Sequence, residues 1–170
     1  PEAVIAMLAT TSIGAIWSSS SPDFGIKSVT DRFSQIEPKI IFSASAYLYN
    51  GKSFSSLGKL KEIVKELPTL EHVIIVDYLN VEPDISEVPN SVTYEDILSN
   101  EPQPLAFESV PFDHPLYILY TSGTTGLPKS IVHGAGGTLI QHKKEFLLHC
   151  NIKREDNIFY YTTCGWMMWN

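Results

Sequence analysis

The chain has 170 residues, 44% of them hydrophobic, which suffices for one buried core. Its net charge of −7, with no basic cluster longer than Lys143-Lys144, argues against a nucleic-acid-binding protein. Two cysteines are too few for a disulfide framework, and no apolar run is long enough to cross a bilayer, so we expect a reducing, cytoplasmic location.

Helical and strand patterns alternate three times in the first 80 residues. Gly14 is typical of a helix end, and Pro38 limits the length of the second helix. The predicted helices are residues 4–13, 26–36 and 57–67, and the predicted strands are residues 15–17, 40–42 and 73–76. This alternation predicts an α/β fold, with a mostly parallel sheet, right-handed crossovers and flanking helices.

The segment from about residue 80 to residue 115 is rich in proline, which predicts a surface excursion with one short helix at residues 94–98. The alternation then resumes. We expect a strand at residues 116–120, a helix at residues 136–149 and a strand at residues 158–160.

A loop rich in small and hydroxylated residues follows the strand that ends at Tyr120. Its glycines allow close backbone approach, its N–H groups and hydroxyls can donate to phosphate oxygens, and its final lysine adds a point charge. Leu127 and Pro128 separate the last glycine from that lysine, which excludes the P-loop of NTPases. A flexible connector is the alternative. The predicted phosphate ligands are Thr121, Ser122, Gly123, Thr124, Thr125, Gly126 and Lys129.

The run Tyr-Thr-Ser-Gly-Thr-Thr-Gly-Leu-Pro-Lys at residues 120–129 resembles the phosphate-loop signature of the adenylate-forming superfamily, which includes acyl-CoA synthetases, luciferases and peptide-synthetase adenylation domains. Residues 131–139 resemble the start of the helix that follows this loop in the acetyl-CoA synthetase branch, and residues 161–170 resemble the next motif of acetoacetyl-CoA synthetases. Two positions depart from the pattern: Ser130 replaces a frequent glycine, and Thr163 replaces the aspartate of acetyl-CoA synthetases.

The resemblance implies that residues 1–170 are part of a large N-terminal AMP-binding domain, without the C-terminal domain. It also implies ATP, Mg²⁺ and CoA as cofactor and co-substrates, and a short-chain carboxylate, acetoacetate, as substrate. Lys129 would steady the departing pyrophosphate. The adenine, ribose and magnesium ligands and a second lysine are expected beyond Asn170, so we expect these residues alone to be inactive.

By the same resemblance, Trp166, Met167 and Met168 would line the acyl pocket and the entrance for CoA, and Lys52 would meet CoA phosphates. Core packing is the alternative for Trp166 and Met168, and a solvated turn is the alternative for Lys52. For the function, the alternatives are an acetyl- or propionyl-CoA synthetase and a non-catalytic nucleotide-binding module.

Overall fold

The computed structural model describes residues 1–99, 101, 103–121 and 126–170. Its helices are α1 (Glu2–Ser12), α2 (Ile26–Phe33), α3 (Leu57–Glu66) and α4 (Ala135–Lys144), and a π-helix at Glu145–His149 continues α4. Short 3₁₀ helices occupy Glu95–Ile97 and Met167–Trp169. The strands are β1 (Trp17–Ser18), β2 (Ile40–Ala44), β3 (Ala46–Tyr49), β4 (Lys52–Ser55), β5 (His72–Val76), β6 (Ser91–Thr93), β7 (Pro115–Tyr120) and β8 (Ser130–Gly134). No helix in these ranges is long and apolar enough to span a membrane.

The strands form two three-stranded sheets and a separate hairpin. The first sheet has the order β1-β7-β8 and the second the order β2-β5-β6, while β3 and β4 pair with each other. Pairing is parallel between β1 and β7 and throughout the second sheet, and it is antiparallel between β7 and β8. The α/β class with mostly parallel pairing is therefore confirmed, although the predicted strands are distributed over two sheets.

The first two helices end as their sequences predict. Gly14 has φ of 74°, and the amides of Gly14 and Ala15 donate to the carbonyls of Thr11 and Thr10, which is a Schellman motif. After α2 the chain tightens into i to i+3 hydrogen bonds, and Glu37 adopts φ of 49° immediately before Pro38.

Each sheet has its own buried cluster. The larger cluster lies where α2 and α3 cover β5, and it includes Phe33, Leu60, Val73 and Ile75. The smaller one joins α1 to the first sheet through Ala6, Trp17, Tyr117 and Leu119. Tyr120 packs against the larger cluster although it belongs to the first sheet, so the end of β7 is held by both halves of the core.

The proline-rich segment contributes to the second sheet. Residues 91–93 form β6, which pairs in parallel with β5, and Val88 and Tyr94 are buried. Most other described residues of this segment are exposed. The short helix predicted there is present as the 3₁₀ turn at Glu95–Ile97.

Two local predictions are wrong. Residues 131–134, which resemble the start of a helix, belong to β8, because β-branched Ile131 and Val132 pair with the open side of β7. The helix predicted at residues 136–149 is confirmed by α4, which begins at Ala135, and its π-helical continuation to His149. Residues 158–160 do not form a strand. Their side chains are exposed, and none of the described backbone hydrogen bonds pairs them with a strand.

Candidate functional site

The carboxyl ends of β1 and β7 lie at the same edge of the first sheet, because the two strands are parallel and Ser18 is in register with Ile118. The chain leaves β1 through residues 19–21 and leaves β7 at Thr121. In open α/β sheets, ligands bind outside the carboxyl ends of strands. The predicted phosphate loop, residues 121–129, therefore begins at an edge suited to a ligand.

The two ends of the phosphate loop are joined to each other. The Thr121 amide donates to the Lys129 carbonyl at 3.0 Å, and the Lys129 amide donates to Thr121 Oγ1 at 3.2 Å. β7 and β8 continue this pairing with Tyr120 opposite Ser130. The loop thus connects two antiparallel strands, and its backbone at Lys129 is fixed by the strand pair below it.

Three of the predicted phosphate ligands are described, and they lie at the two ends of the loop. Lys129 and Gly126 are exposed, whereas Pro128 between them is buried. A lysine whose backbone is held and whose side chain reaches solvent can present its ammonium group to an anion. The other predicted phosphate ligands lie outside the described residues: Ser122, Gly123, Thr124 and Thr125.

The turn after α2 contacts the exit of the phosphate loop. The Gln35 side-chain amide donates to the Pro128 carbonyl at 2.9 Å and to the Asp31 carbonyl at 2.6 Å. Its oxygen accepts a longer hydrogen bond, 3.4 Å, from the Ser130 hydroxyl. One side chain thus connects the helix to both neighbours of Lys129.

Tyr120 anchors the start of the loop. Its hydroxyl accepts a hydrogen bond from Ser18 at 3.3 Å, and the Arg32 guanidinium lies 5.8 Å from its ring centroid and 4.9 Å from that of Phe24. Burial raises the pKa of the Tyr120 phenol, while the Ser18 hydrogen bond and the Arg32 charge act in the opposite direction. The phenol is accordingly neutral at physiological pH and can serve as a structural contact.

The Trp166 motif, which comprises residues 161–170, lies against the loop that leaves β1. Ser19 Oγ donates to the Cys164 carbonyl at 2.6 Å, and Cys164 Sγ contacts the Ser20 carbonyl at 3.3 Å. A Cβ on Gly165 would stand 2.7 Å from the Ser21 amide nitrogen, so only glycine allows this approach. The motif is thereby held at the sheet edge at which the phosphate loop begins.

The aromatic and methionine side chains of this motif point away from the described core. Trp166, Met167 and Met168 are 66%, 41% and 65% exposed. Core packing among the described residues therefore does not account for them. Exposed apolar side chains at an edge suited to a ligand have the chemistry that an acyl pocket needs.

Lys52 directly follows a tight turn, as the sequence analysis expected, and its predicted contact with CoA stays a prediction. It is the first residue of β4 in a hairpin whose turn residues Asn50 and Gly51 both have positive φ, 48° and 71°. An Asn-Gly pair is a strong signal for a two-residue hairpin turn, because both residues accept positive φ. Lys52 is exposed, and no described hydrogen bond or ion pair connects it to the phosphate loop or to the Trp166 motif.

Sequence patterns did not indicate the residues that support the site. Gln35, Arg32 and Ser18 lie far along the chain from the phosphate loop, and their types are common on helix and strand surfaces. Only the pairing of β1 with β7 and the packing of α2 bring them to it. A hydrophilic residue just beyond an amphipathic helix carries no signal of its own.

Comparisons with known proteins identify a family and individual relatives that this chain resembles. Residues 1–169 match the family described as AMP-binding enzyme. The chain is 58% identical to the acetoacetyl-CoA synthetase of Gallus gallus, over 99% of this chain and 26% of that protein. It is 48% identical to the malonamoyl-CoA synthetase vrtB of Penicillium aethiopicum, over 99% of this chain and 24% of that protein.

A solved structure has the same fold. The acetoacetyl-CoA synthetase from Streptomyces lividans matches with a TM-score of 0.91 and 46% identity, over 99% of this chain and 25% of that one. The chain thus spans about a quarter of the length of the proteins it matches. With the family match extending over residues 1–169, this chain belongs to the AMP-binding enzyme family.

Proposed function

We propose that this chain is part of the large N-terminal domain of an AMP-forming acid–thiol ligase that converts acetoacetate to its CoA thioester. The observation that carries the proposal is the arrangement at one sheet edge, where the phosphate loop and the Trp166 motif both begin beside β1 and β7. The choice of acetoacetate is supported by the names of relatives at 58% and 46% identity.

In the first step, a carboxylate oxygen of the substrate attacks the α-phosphorus of ATP. A new O–P bond forms, the bond to the β-phosphate oxygen breaks, and pyrophosphate leaves with the electron pair. Negative charge grows on the departing group, and positioned donors stabilise it. We assign this role to Lys129 and the loop residues Thr121, Ser122, Gly123, Thr124, Thr125 and Gly126.

In the second step, the CoA thiol attacks the acyl carbon of the acyl-adenylate. A C–S bond forms, the C–O bond to the phosphate breaks, AMP leaves, and the thiol proton passes to solvent or a base. Trp166, Met167 and Met168 line the acyl pocket in this proposal. Their exposed apolar surfaces would exclude water from the mixed anhydride once substrate covers them.

We also propose that Lys52 meets a CoA phosphate, because it is an exposed cation beside a tight hairpin turn. Mg²⁺ is implied by the family. Residues 1–99, 101, 103–121 and 126–170 contain no group of three or more His, Cys, Asp or Glu side chains that could hold a metal ion. The proposal therefore assigns no metal ligand to these residues.

The deciding experiment is ATP–pyrophosphate exchange and CoA thioester formation by the full-length protein, with acetoacetate, acetate, propionate and malonamate compared. We expect the highest kcat/KM for acetoacetate. Malonamate is the second candidate, because a relative at 48% identity is named for that product. Exchange with acetate or propionate alone would reassign the substrate, and nucleotide binding without exchange would favour a non-catalytic module.

We also propose that residues 1–170 alone are inactive, since the chain spans about a quarter of its relatives. Adenylation by the isolated chain would contradict this. A cytoplasmic location is proposed on the basis of the two cysteines, which are both unpaired in the described structure. Fractionation of cells that express the tagged full-length protein tests it.

A further inference from the structure

We propose that Gln35 is a positioning residue for Lys129, acting through the backbone on both sides of it. The inference rests on the proposed function, in which Lys129 holds the β- and γ-phosphates of ATP. Gln35 itself is not required to touch ATP.

The orientation of the Gln35 amide follows from its partners. Its nitrogen faces two carbonyl oxygens, those of Asp31 at 2.6 Å and Pro128 at 2.9 Å, which can only accept. The oxygen faces the Ser130 hydroxyl, which can donate. All three contacts agree with one orientation, so the side chain acts as a two-sided bridge.

The Gln35 bridge connects two segments that are each anchored by buried residues. Asp31 lies on α2, where Val29 and Phe33 are buried in the larger core cluster. On the loop side, Pro128 is buried and its ring restricts the backbone. Together with the Thr121 hydrogen bonds, the bridge holds the Lys129 backbone from two directions.

Because the Lys129 backbone is already held in the unbound protein, it has less conformational freedom to lose when an anion binds. Binding is stronger when the bound geometry is present beforehand, because less entropy is lost on association. A loss of the Gln35 bridge should therefore weaken ATP binding and slow formation of the acyl-adenylate, the step in which pyrophosphate leaves. Thioester formation from a supplied acyl-adenylate should change little, because the acyl-adenylate contains no pyrophosphate.

The test compares Gln35→Met with Gln141→Met in the full-length protein. Methionine keeps the length of the side chain and removes its hydrogen bonds. Gln141 is the matched control, because among the described residues its side-chain amide donates to Glu145 on its own helical segment, at 3.0 Å, and to no residue of the phosphate loop. Ser130→Ala is the second variant, since it removes the hydroxyl that makes the 3.4 Å contact and leaves the backbone of β8 unchanged.

We expect Gln35→Met to weaken equilibrium ATP affinity, measured by calorimetry, by about two- to tenfold, the range of one neutral hydrogen bond. ATP–pyrophosphate exchange should fall similarly in kcat/KM for ATP. Thioester formation from supplied acyl-adenylate should stay within about twofold, as should both activities of Gln141→Met and of Ser130→Ala, which loses only a long hydrogen bond.

Equal losses in both half-reactions, or ATP affinity equal to that of Gln141→Met, would overturn the inference. Failure of the proposed function has a different signature, because the unmodified protein would then show no exchange with any carboxylate. Calorimetric ATP affinity still tests Gln35 in that case, and the thermal midpoint of each variant shows whether folding is retained.

Discussion

Thr121 and Lys129 exchange two hydrogen bonds across the base of the phosphate loop, one between backbone groups at 3.0 Å and one from the Lys129 amide to Thr121 Oγ1 at 3.2 Å. The second of these depends on a hydroxyl. Thr121 thus has a structural task in addition to its predicted role as a phosphate ligand.

Replacing Thr121 with valine removes the hydroxyl and keeps the shape of the side chain. We expect kcat/KM for ATP in pyrophosphate exchange to fall by about two- to tenfold, because a neutral hydrogen bond contributes about 0.5–1.5 kcal/mol. Thr121→Ser should restore most of the activity. Equal activities of the valine and serine variants would show that the hydroxyl has no role.

Replacing Lys129 with alanine removes the positive charge at the end of the loop. A hydrogen bond to a charged group contributes about 1.5–3 kcal/mol, so exchange should fall roughly 10- to 150-fold. Thioester formation from supplied acyl-adenylate should fall much less. Unchanged exchange in the full-length protein would mean that Lys129 does not hold pyrophosphate.

Replacing Gly165 with alanine should displace the Trp166 motif, because the new Cβ would stand 2.7 Å from the Ser21 amide nitrogen and 3.0 Å from Ser21 Cβ. We expect a stability loss of about 1–3 kcal/mol, seen as a lower thermal midpoint, and weaker carboxylate activation.

Gly58→Ala is the matched control for Gly165→Ala. Gly58 lies in α3, and a Cβ there meets nothing within 4 Å, so alanine should stabilise the helix by about 0.5–1 kcal/mol. A Gly165 variant as stable as the Gly58 variant would show that the contact with Ser21 relaxes without cost.

Cys164 should react slowly with iodoacetamide. Burial raises the pKa of its thiol, with the nearby Asp23 charge acting in the same direction against a hydrogen bond that lowers it. Only the thiolate is nucleophilic, so a raised pKa leaves less of it at pH 8. The labelling rate should keep rising with pH beyond the point at which the urea-unfolded chain reaches its plateau.

Mass spectrometry of the labelled peptides measures this pH dependence, with the same cysteine in the unfolded chain as the reference. A native rate profile that coincides with the unfolded one would contradict the expected effect of burial.

The helices were the most predictable part of the fold. Their apolar residues recur at helical spacing, and Gly14 and Pro38 mark where two of them end, so local chemistry was sufficient. The hairpin at Asn50-Gly51 could also have been predicted, because its turn requires positive φ at two residues and Asn-Gly accepts it. β8 was missed because its strand character depends on the free side of β7.

In the phosphate loop, too, some properties depend on local sequence and others depend on tertiary contacts. Its composition and its final lysine were sufficient to predict an anion-binding loop, and its resemblance to a known signature indicated the superfamily, since both depend on consecutive residues. The contacts that hold the loop were not predictable, because Gln35 and Lys129 are separated by more than 90 positions and each looks ordinary in its own segment.

By itself, the sequence determined the family, the helices, the end of β7 and the residue types predicted to bind phosphate, because all of these follow from short-range patterns. The tertiary structure alone decided that the described strands form two three-stranded sheets and a hairpin, that residues 158–160 form no strand, and that Ser19 and Ser21 contact the Trp166 motif. Strand partners and cross-chain hydrogen bonds depend on which surfaces meet after the core is buried, and no single segment contains that information.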